Sequence, residues 1–171
     1  MTTPADDLYQ RLVLDHARAP RNRGPLPGAT HVAHGDNPFC GDRVTVSLIV
    51  EQDGIADARF DGSGCAVATA AASMMTAAIK GLTRAEAAAR AQGFERWLAA
   101  GDGDDGAGAR DEAGAEGQAE AEAQAQAQAE LGELRAFAGV RRFPVRVKCA
   151  RLPWQTMVAA LARADGTVST E

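Results

Sequence analysis

The sequence predicts an α+β fold, in which helices pack on one side of a small antiparallel β-sheet. Apolar and polar residues alternate with period two on both sides of Asp53-Gly54, which is typical of a β-hairpin with one buried face. The segments before and after this hairpin carry apolar residues at helical spacing. With 171 residues, the chain is long enough for one domain with its own core.

The first predicted element is an amphipathic helix over residues 5–18. Its apolar face consists of Leu8, Tyr9, Leu12, Val13 and His16. We expect His16 to be packed in the core or at its boundary. The helix ends before Pro20, and the Pro- and Gly-rich residues 20–28 predict an irregular connector.

The hairpin follows, preceded by a third predicted strand over residues 29–36. Its expected inward-facing residues are Val44, Val46, Leu48, Val50, Ala56, Ala58 and Phe60. On the strand that precedes the hairpin, His31 and His34 are expected to face solvent, although either could serve as a spare metal ligand.

Two helices are predicted after the hairpin. The first begins at or near Cys65, after Gly62-Ser63-Gly64, and ends at Gly81. Thr83 caps the second, with Glu86 at the capping-box position.

Two further helices are predicted near the C-terminus. Leu131, Leu134 and Phe137 indicate one of them. The last helix carries Trp154, Met157, Val158 and Leu161. Pro153 fits its first turn, which would leave Cys149 just ahead of the helix.

Residues 101–130 differ in composition from the rest of the chain. They are acidic and rich in Ala, Gln and Gly, and alanine is the main apolar residue. Such a segment cannot bury enough apolar surface to order itself, so we expect a low-complexity insertion with a disordered glycine-rich half. Residues 1–100 and 131–171 are then expected to form one domain together.

The formal net charge is -5, but its distribution is uneven. Residues 135–171 contain seven Lys and Arg against two Asp and Glu, and five of these cations, Arg141, Arg142, Arg146, Lys148 and Arg151, surround Cys149. They form either a solvated surface or a docking site for an acidic partner. Nucleic acid is not expected as a partner, because the protein is acidic overall and only 5% of its residues are aromatic.

The composition predicts a cytoplasmic protein. The N-terminal residues lack the features of a secretory signal, and no apolar stretch approaches the roughly 20 residues that span a bilayer. Cytosolic thiols stay reduced, so an odd number of cysteines, here three, favours metal binding or reactive chemistry over disulfides.

Cys40, Cys65, Cys149 and Asp42 together offer three thiolates and one carboxylate, a ligand set that suits zinc or an iron–sulfur cluster. Each cysteine has a local reason to ionise: Cys65 precedes a helix, and Arg146 and Lys148 lie beside Cys149 in sequence. The sequence spacing of the three cysteines does not distinguish metal ligands from three unrelated buried cysteines. Taken alone, Asp42 is interpreted as a turn residue after Gly41.

Several motifs carry a resemblance to a known family. They are Asp7-Leu8-Tyr9, Asp15-His16, Pro20-Arg21-Asn22, Asn37-Pro38-Phe39-Cys40-Gly41-Asp42, Gly62-Ser63-Gly64-Cys65-Ala66 and Phe143-Pro144-Val145-Arg146-Val147-Lys148-Cys149-Ala150. In this order they resemble the iron–sulfur cluster assembly family of SufU, IscU and the N-terminal module of NifU. Lys148, in place of a histidine before the last cysteine, and Phe143-Pro144-Val145-Arg146, in place of a Pro-Pro-Val-Lys motif, resemble the SufU branch.

The resemblance implies a zinc-dependent sulfur acceptor that works with a SufS-type cysteine desulfurase and other SUF assembly proteins. A desulfurase histidine would displace one cysteine from zinc, and the freed thiolate, by position Cys40, would accept the sulfur. Cys40, Asp42, Cys65 and Cys149 would be the metal ligands. The cations beside Cys149 add Arg146 and Lys148 as the predicted docking residues. Two alternatives remain: a scaffold that builds a [2Fe-2S] cluster on the cysteines, and a zinc module that only binds a partner.

Overall fold

The computed structural model describes residues 4–100, 126, 130–162 and 167–169. Its helices are α1 (Pro4–Arg18), α2 (Ala66–Ile79), α3 (Arg84–Ala99), the 3₁₀ helix Gly132–Arg142 and α4 (Pro144–Leu161). Its strands are β1 (His31–Asn37), β2 (Asp42–Glu51), β3 (Gly54–Ser63) and β4 (Thr167–Ser169). The predicted insertion at residues 101–130 lies almost entirely outside the described residues.

The sheet has the order β3-β2-β1-β4 within the described residues, and β1, β2 and β3 are antiparallel, as predicted. The short strand β4 pairs with β1 in parallel and was not predicted. The hairpin contains a register shift at Ile49/Val50, so Ile55 is buried whereas Ala56 is exposed. The strict alternation predicted through Ala56 is therefore wrong, because a β-bulge adds one unpaired residue.

The helices cover one face of the sheet, as the α+β prediction requires. Along β1 every second residue is buried, namely His31, Ala33, Gly35 and Asn37. Helix α4 approaches this strand so closely that a Cβ atom on Gly35 would lie 2.0 Å from Thr156 Oγ1. A larger side chain at residue 35 would therefore push α4 away from the sheet.

The prediction for the two histidines of β1 is correct only for His34, which is exposed, whereas His31 is buried. Residues three apart in a strand lie on opposite faces, so in a strand with one buried face only one of the two can face solvent.

Three apolar side chains predicted to form a helical face lie in the 3₁₀ helix or, for Leu131, at its N-cap position. Leu131, Leu134 and Phe137 are all buried. Their spacing of three residues matches the three residues per turn of a 3₁₀ helix, so they align on one side of it. Phe137 packs edge-on against Phe94 of α3, with ring centroids 5.8 Å apart.

The last helix begins earlier than predicted. Helix α4 starts at Pro144, which occupies its first turn, and Pro153 lies in its interior. Cys149 is consequently inside the helix, and the prediction that it precedes the helix is wrong. Since proline has no N–H group, Pro153 cannot donate the usual helical hydrogen bond to the carbonyl of Cys149.

Helix α1 is fastened to α2 by a buried polar contact. His16 is buried, as predicted, and its Nδ1 atom lies 2.7 Å from the Ser73 hydroxyl. The same hydroxyl accepts a hydrogen bond from the backbone N–H of Arg21 at 2.8 Å. In the described part of the chain, no helix combines the length and apolarity needed to cross a bilayer.

Candidate metal and thiol site

The four predicted ligands come from three separate parts of the chain. Cys40 lies in the turn between β1 and β2, and Asp42 is the first residue of β2. Cys65 is the N-cap residue of α2, and Cys149 lies in the second turn of α4. The fold brings these positions together at one end of the sheet.

The Cys40 turn is held by backbone hydrogen bonds to Asn37. The Asn37 carbonyl accepts from the N–H groups of Cys40 at 3.3 Å and Gly41 at 2.8 Å. Gly41 has a φ of +70°, in the left-handed region that favours glycine. This conformation turns the chain back into β2 and leaves Cys40 exposed at the tip.

Asp42 connects the turn to the start of α2. Its Oδ1 atom accepts a hydrogen bond from the Cys65 backbone N–H at 2.8 Å, and its Oδ2 atom lies 3.9 Å from Cys65 Sγ. A Cβ atom on Gly64 would lie 3.1 Å from Asp42 Oδ1, so this contact depends on glycine. Cys65 Sγ also accepts a hydrogen bond from the Ala68 N–H at 3.4 Å.

Cys40 and Cys149 form the closest pair, with their sulfur atoms 3.2 Å apart. Ligand atoms of Cys40, Asp42 and Cys149 lie within 4.8 Å of one another, which is close enough to share a metal ion. Cys65 lies outside this group, and its sulfur lies 3.9 Å from Asp42 Oδ2. Two sulfurs, one carboxylate and a third sulfur at the edge fit a soft or borderline metal such as zinc better than calcium or magnesium.

The cysteines do not share one electrostatic environment. Burial raises the pKa of the Cys149 thiol well above its usual value, and hydrogen bonds to Asp42 and Cys40, with the negative charges of Cys65 and Asp42, add to this. The expectation that neighbouring cations favour a Cys149 thiolate is wrong for the protein alone. The Lys148 ammonium lies 4.0 Å from the Phe39 ring centre, and the Arg146 guanidinium lies 5.1 Å from that of Phe143.

Without a metal, Cys149 therefore favours its protonated, neutral form. A metal cation bound between the sulfurs would favour the thiolate instead, because it compensates the negative charge that burial makes unfavourable.

The support around the three sulfurs also differs. Cys149 is buried, and its sulfur accepts a hydrogen bond from the Asn37 side-chain amide at 3.5 Å. Cys65 is exposed, but it receives the Ala68 N–H. The Cys40 sulfur is exposed and has no N–H donor among the residues that the structure describes. Cys40 is therefore the least supported of the three.

Three exposed apolar residues lie close in sequence to Cys40 or Cys149. Phe39 is 66% exposed, Val145 56% and Phe143 51%. The Lys148 ammonium lies over the Phe39 ring, and the Arg146 guanidinium lies over the Phe143 ring, so the surface combines apolar area with positive charge. We call these five residues the basic–aromatic rim.

Sequence reasoning singled out the four candidate ligands but gave no role to Asn37 or to the exposed aromatic residues. Asn37 was visible only as part of a motif. A polar residue at an inward position of a strand is the signal that could have singled it out.

The fold places a group of thiols and a carboxylate where they could hold a metal ion, and comparison with known proteins gives the family of the chain. A model described as the NifU-like N-terminal domain matches residues 8–98. The chain belongs to this family of iron–sulfur cluster assembly proteins and is a SufU-type member of it.

Individual relatives agree with this assignment. The chain is 33% identical over 161 residues to the zinc-dependent sulfurtransferase SufU of Bacillus subtilis, covering 94% of each chain. It is 35% identical to the iron–sulfur cluster assembly scaffold protein IscU of Streptococcus pyogenes, covering 91% of this chain and 84% of the relative. A crystal structure of a putative assembly scaffold for the SUF system from Fervidobacterium islandicum has a TM-score of 0.70 at 29% identity, covering 88% of this chain and 93% of that one.

Proposed function

We propose that the protein is a zinc-dependent sulfur acceptor and carrier for a SufS-type cysteine desulfurase. The observation that carries the proposal is the pairing of an exposed Cys40 sulfur with a buried Cys149 sulfur 3.2 Å away, next to a buried carboxylate. Such a group can hold a metal through its buried members while its exposed sulfur reacts. The name of the Bacillus subtilis relative supports both zinc and sulfur transfer.

Zinc would be held by Cys40, Asp42, Cys65 and Cys149. When bound, it keeps these thiols deprotonated and shields them from oxidation. A carboxylate as one of four ligands makes the site easier to open than an all-cysteine site. Release of Cys40 exposes a thiolate at the surface without loss of the buried ligands.

The proposed reaction is thiol–persulfide exchange. The Cys40 thiolate attacks the terminal sulfur of the desulfurase persulfide, and a bond forms between Cys40 Sγ and that sulfur. The S–S bond to the desulfurase cysteine breaks, and that cysteine leaves as a thiolate. Electrons and charge balance without a further oxidant or reductant. The sulfur then passes to other SUF assembly proteins in the cytoplasm.

The basic–aromatic rim is the proposed docking surface for the desulfurase. Phe39 precedes Cys40 in the β1–β2 turn, and its ring contacts Lys148, which precedes Cys149. Arg146, Phe143 and Val145 lie at the start of α4, the helix that carries Cys149, so a partner that covers the rim would lie next to Cys40. Apolar area with cations on aromatic rings is typical of binding hot spots, and the cations favour a partner with an acidic rim.

The test combines the zinc-loaded protein with a SufS-type desulfurase and cysteine, and measures both alanine release and persulfide on this chain by mass spectrometry. We expect stimulated alanine release and a persulfide on Cys40, both lost in Cys40→Ser. Arg146→Ala with Lys148→Ala should raise the concentration needed for half-maximal stimulation by about 10-fold or more. Arg11→Ala with Arg18→Ala, two exposed cations on α1, is the matched control.

No stimulation, or stimulation that persists in Cys40→Ser, would contradict the sulfur-acceptor proposal and favour a zinc module that only binds a partner.

A scaffold for a [2Fe-2S] cluster is the second candidate, favoured by the three sulfurs at one end of the fold and by the name of the Streptococcus pyogenes relative. Aerobically purified protein should be colourless with about one zinc if the first proposal is correct. Anaerobic reconstitution that gives a stable, transferable cluster would favour the scaffold.

A further inference from the structure

Asn37 lies beneath the thiol cluster, and its side chain is fully buried. It is the last residue of β1, at the inward-facing position nearest to the turn that carries Cys40. A buried carboxamide is costly unless its polar atoms find partners, so its contacts define what it does there.

The two ends of this carboxamide reach different parts of the site. Oδ1 accepts a hydrogen bond from the Phe39 backbone N–H at 3.2 Å, and Nδ2 lies 3.5 Å from Cys149 Sγ. The orientation is fixed by chemistry, because the Phe39 N–H can only donate and must face the oxygen. The amide N–H therefore points at the Cys149 sulfur, which acts as the acceptor.

One residue thus holds both the turn of Cys40 and the sulfur of Cys149. Its carbonyl accepts from the N–H groups of Cys40 and Gly41, and its side-chain amide donates to Cys149. Helix α4 and the β1–β2 turn are more than 100 residues apart in sequence, and Asn37 links them directly at the cluster.

We propose that Asn37 is a positioning residue that keeps Cys149 as the stationary metal ligand, so that Cys40 is the sulfur that leaves. An N–H donor to a thiolate stabilises its charge and fixes its direction, and the Cys40 sulfur has no such donor among the described residues. This inference rests on the proposed metal site. It adds that the hydrogen bond from Asn37 to Cys149 determines which of the two sulfurs leaves the metal.

Two variants separate the donor from the packing. Asn37→Asp keeps an oxygen for the Phe39 N–H but removes the N–H donor to sulfur. Asn37→Leu keeps the approximate shape and removes both hydrogen bonds without adding charge. Asp36→Asn, one residue earlier on the opposite face of β1, is the matched control. Circular dichroism shows whether each variant folds, and Asn37→Asp alone is sufficient if Asn37→Leu does not fold.

The first readout is the metal. In both Asn37 variants we expect zinc affinity, measured by competition with a chromophoric chelator, to fall about 10-fold or more. In the cobalt-substituted proteins, the sulfur-to-cobalt charge-transfer band should move to longer wavelength, because the sulfur electrons are no longer stabilised by the N–H group. The Asp36→Asn protein should match the unchanged chain in both respects.

The second readout needs no metal. In the NMR spectrum of the metal-free protein, the Asn37 side-chain amide protons should exchange slowly with solvent, and Cys149→Ala should shift their resonances and speed their exchange. Cys65→Ala is the control, and it should leave them unchanged.

The outcomes separate this inference from the proposed function. Absence of zinc binding by the unchanged chain would overturn the proposed function. Asn37→Asp with the zinc affinity and cobalt spectrum of the unchanged chain, or Asn37 amide protons insensitive to Cys149→Ala, would overturn the role of Asn37 alone.

Discussion

The β1–β2 turn and the start of helix α4 each supply one cysteine to the same pair, but in opposite settings. Cys40 is exposed at the tip of a turn, whereas Cys149 is buried within a helix that packs on β1. A sulfur that must meet a partner has to be accessible, and a sulfur that retains a metal has to be fixed. In the proposed function, the exposed sulfur meets the first need and the buried sulfur meets the second.

The largest expected effect comes from exchanging the two cysteines for alanine. Cys40→Ala should abolish persulfide formation, yet retain part of the zinc affinity, because the buried ligands remain. Cys149→Ala should lose zinc binding and persulfide formation together. Zinc titration and mass spectrometry of both variants test this difference, and equal zinc loss in the two would contradict it.

Asp42 lies between the two regions and tests the carboxylate as a ligand. Asp42→Asn keeps an oxygen for the Cys65 N–H but removes the charge, so zinc affinity should fall about 10- to 100-fold, although the helix start is preserved. Asp61→Asn, an exposed change on β3, should have no effect in the same chelator competition. An unchanged zinc affinity in Asp42→Asn would remove Asp42 from the ligand set.

Gly35 lies where α4 packs closely on β1, and a substitution there tests this packing. Gly35→Ala should lower the free energy of unfolding by about 1–3 kcal/mol, because the new Cβ atom would meet Thr156 Oγ1 at 2.0 Å. In contrast, Gly93→Ala, in the interior of α3 with open space around it, should stabilise the protein by about 0.5–1 kcal/mol. Urea denaturation measures the free energy of unfolding of both variants. An unchanged value in Gly35→Ala would contradict the close packing of α4 on β1.

The smallest expected effect is the pH dependence of stability caused by His16, which lies in α1. Burial lowers the pKa of His16, and the positive charge of Arg21 adds to this, so the unfolded state takes up a proton more readily than the folded state. Stability is therefore retained above about pH 6.5 and lost as the pH falls below it. His16→Gln should flatten this pH dependence in urea denaturation, and an unchanged slope would exclude His16 as its source.

Local signals predicted most of the fold. The hairpin around Asp53-Gly54 and the Thr83–Glu86 capping box both appear as expected, because their residues determine the backbone locally. The burial of His31 could not be predicted, since it depends on which face of β1 α4 covers. The prediction that Pro153 lies in the first turn of the last helix is wrong, because proline usually occupies the first turn but here lies in the interior of α4.

The candidate site was predictable in part for a similar reason. Residue chemistry identified Cys40, Asp42, Cys65 and Cys149 as possible ligands, but their wide spacing could not establish that they converge. That convergence is a property of the folded chain, produced by the β1–β2 turn, the start of α2 and the interior of α4. The N–H donor from Asn37 likewise emerges only when α4 packs on β1.

X-ray absorption spectroscopy at the zinc edge of the purified, zinc-loaded protein would show whether the three cysteines and Asp42 bind one metal ion together. We expect three sulfur neighbours at about 2.3 Å and one oxygen neighbour at about 2.0 Å. The zinc signal should be lost in Cys149→Ala, because this variant is expected not to retain the metal. A zinc ion with only oxygen and nitrogen neighbours, or a protein that retains no zinc, would contradict the account.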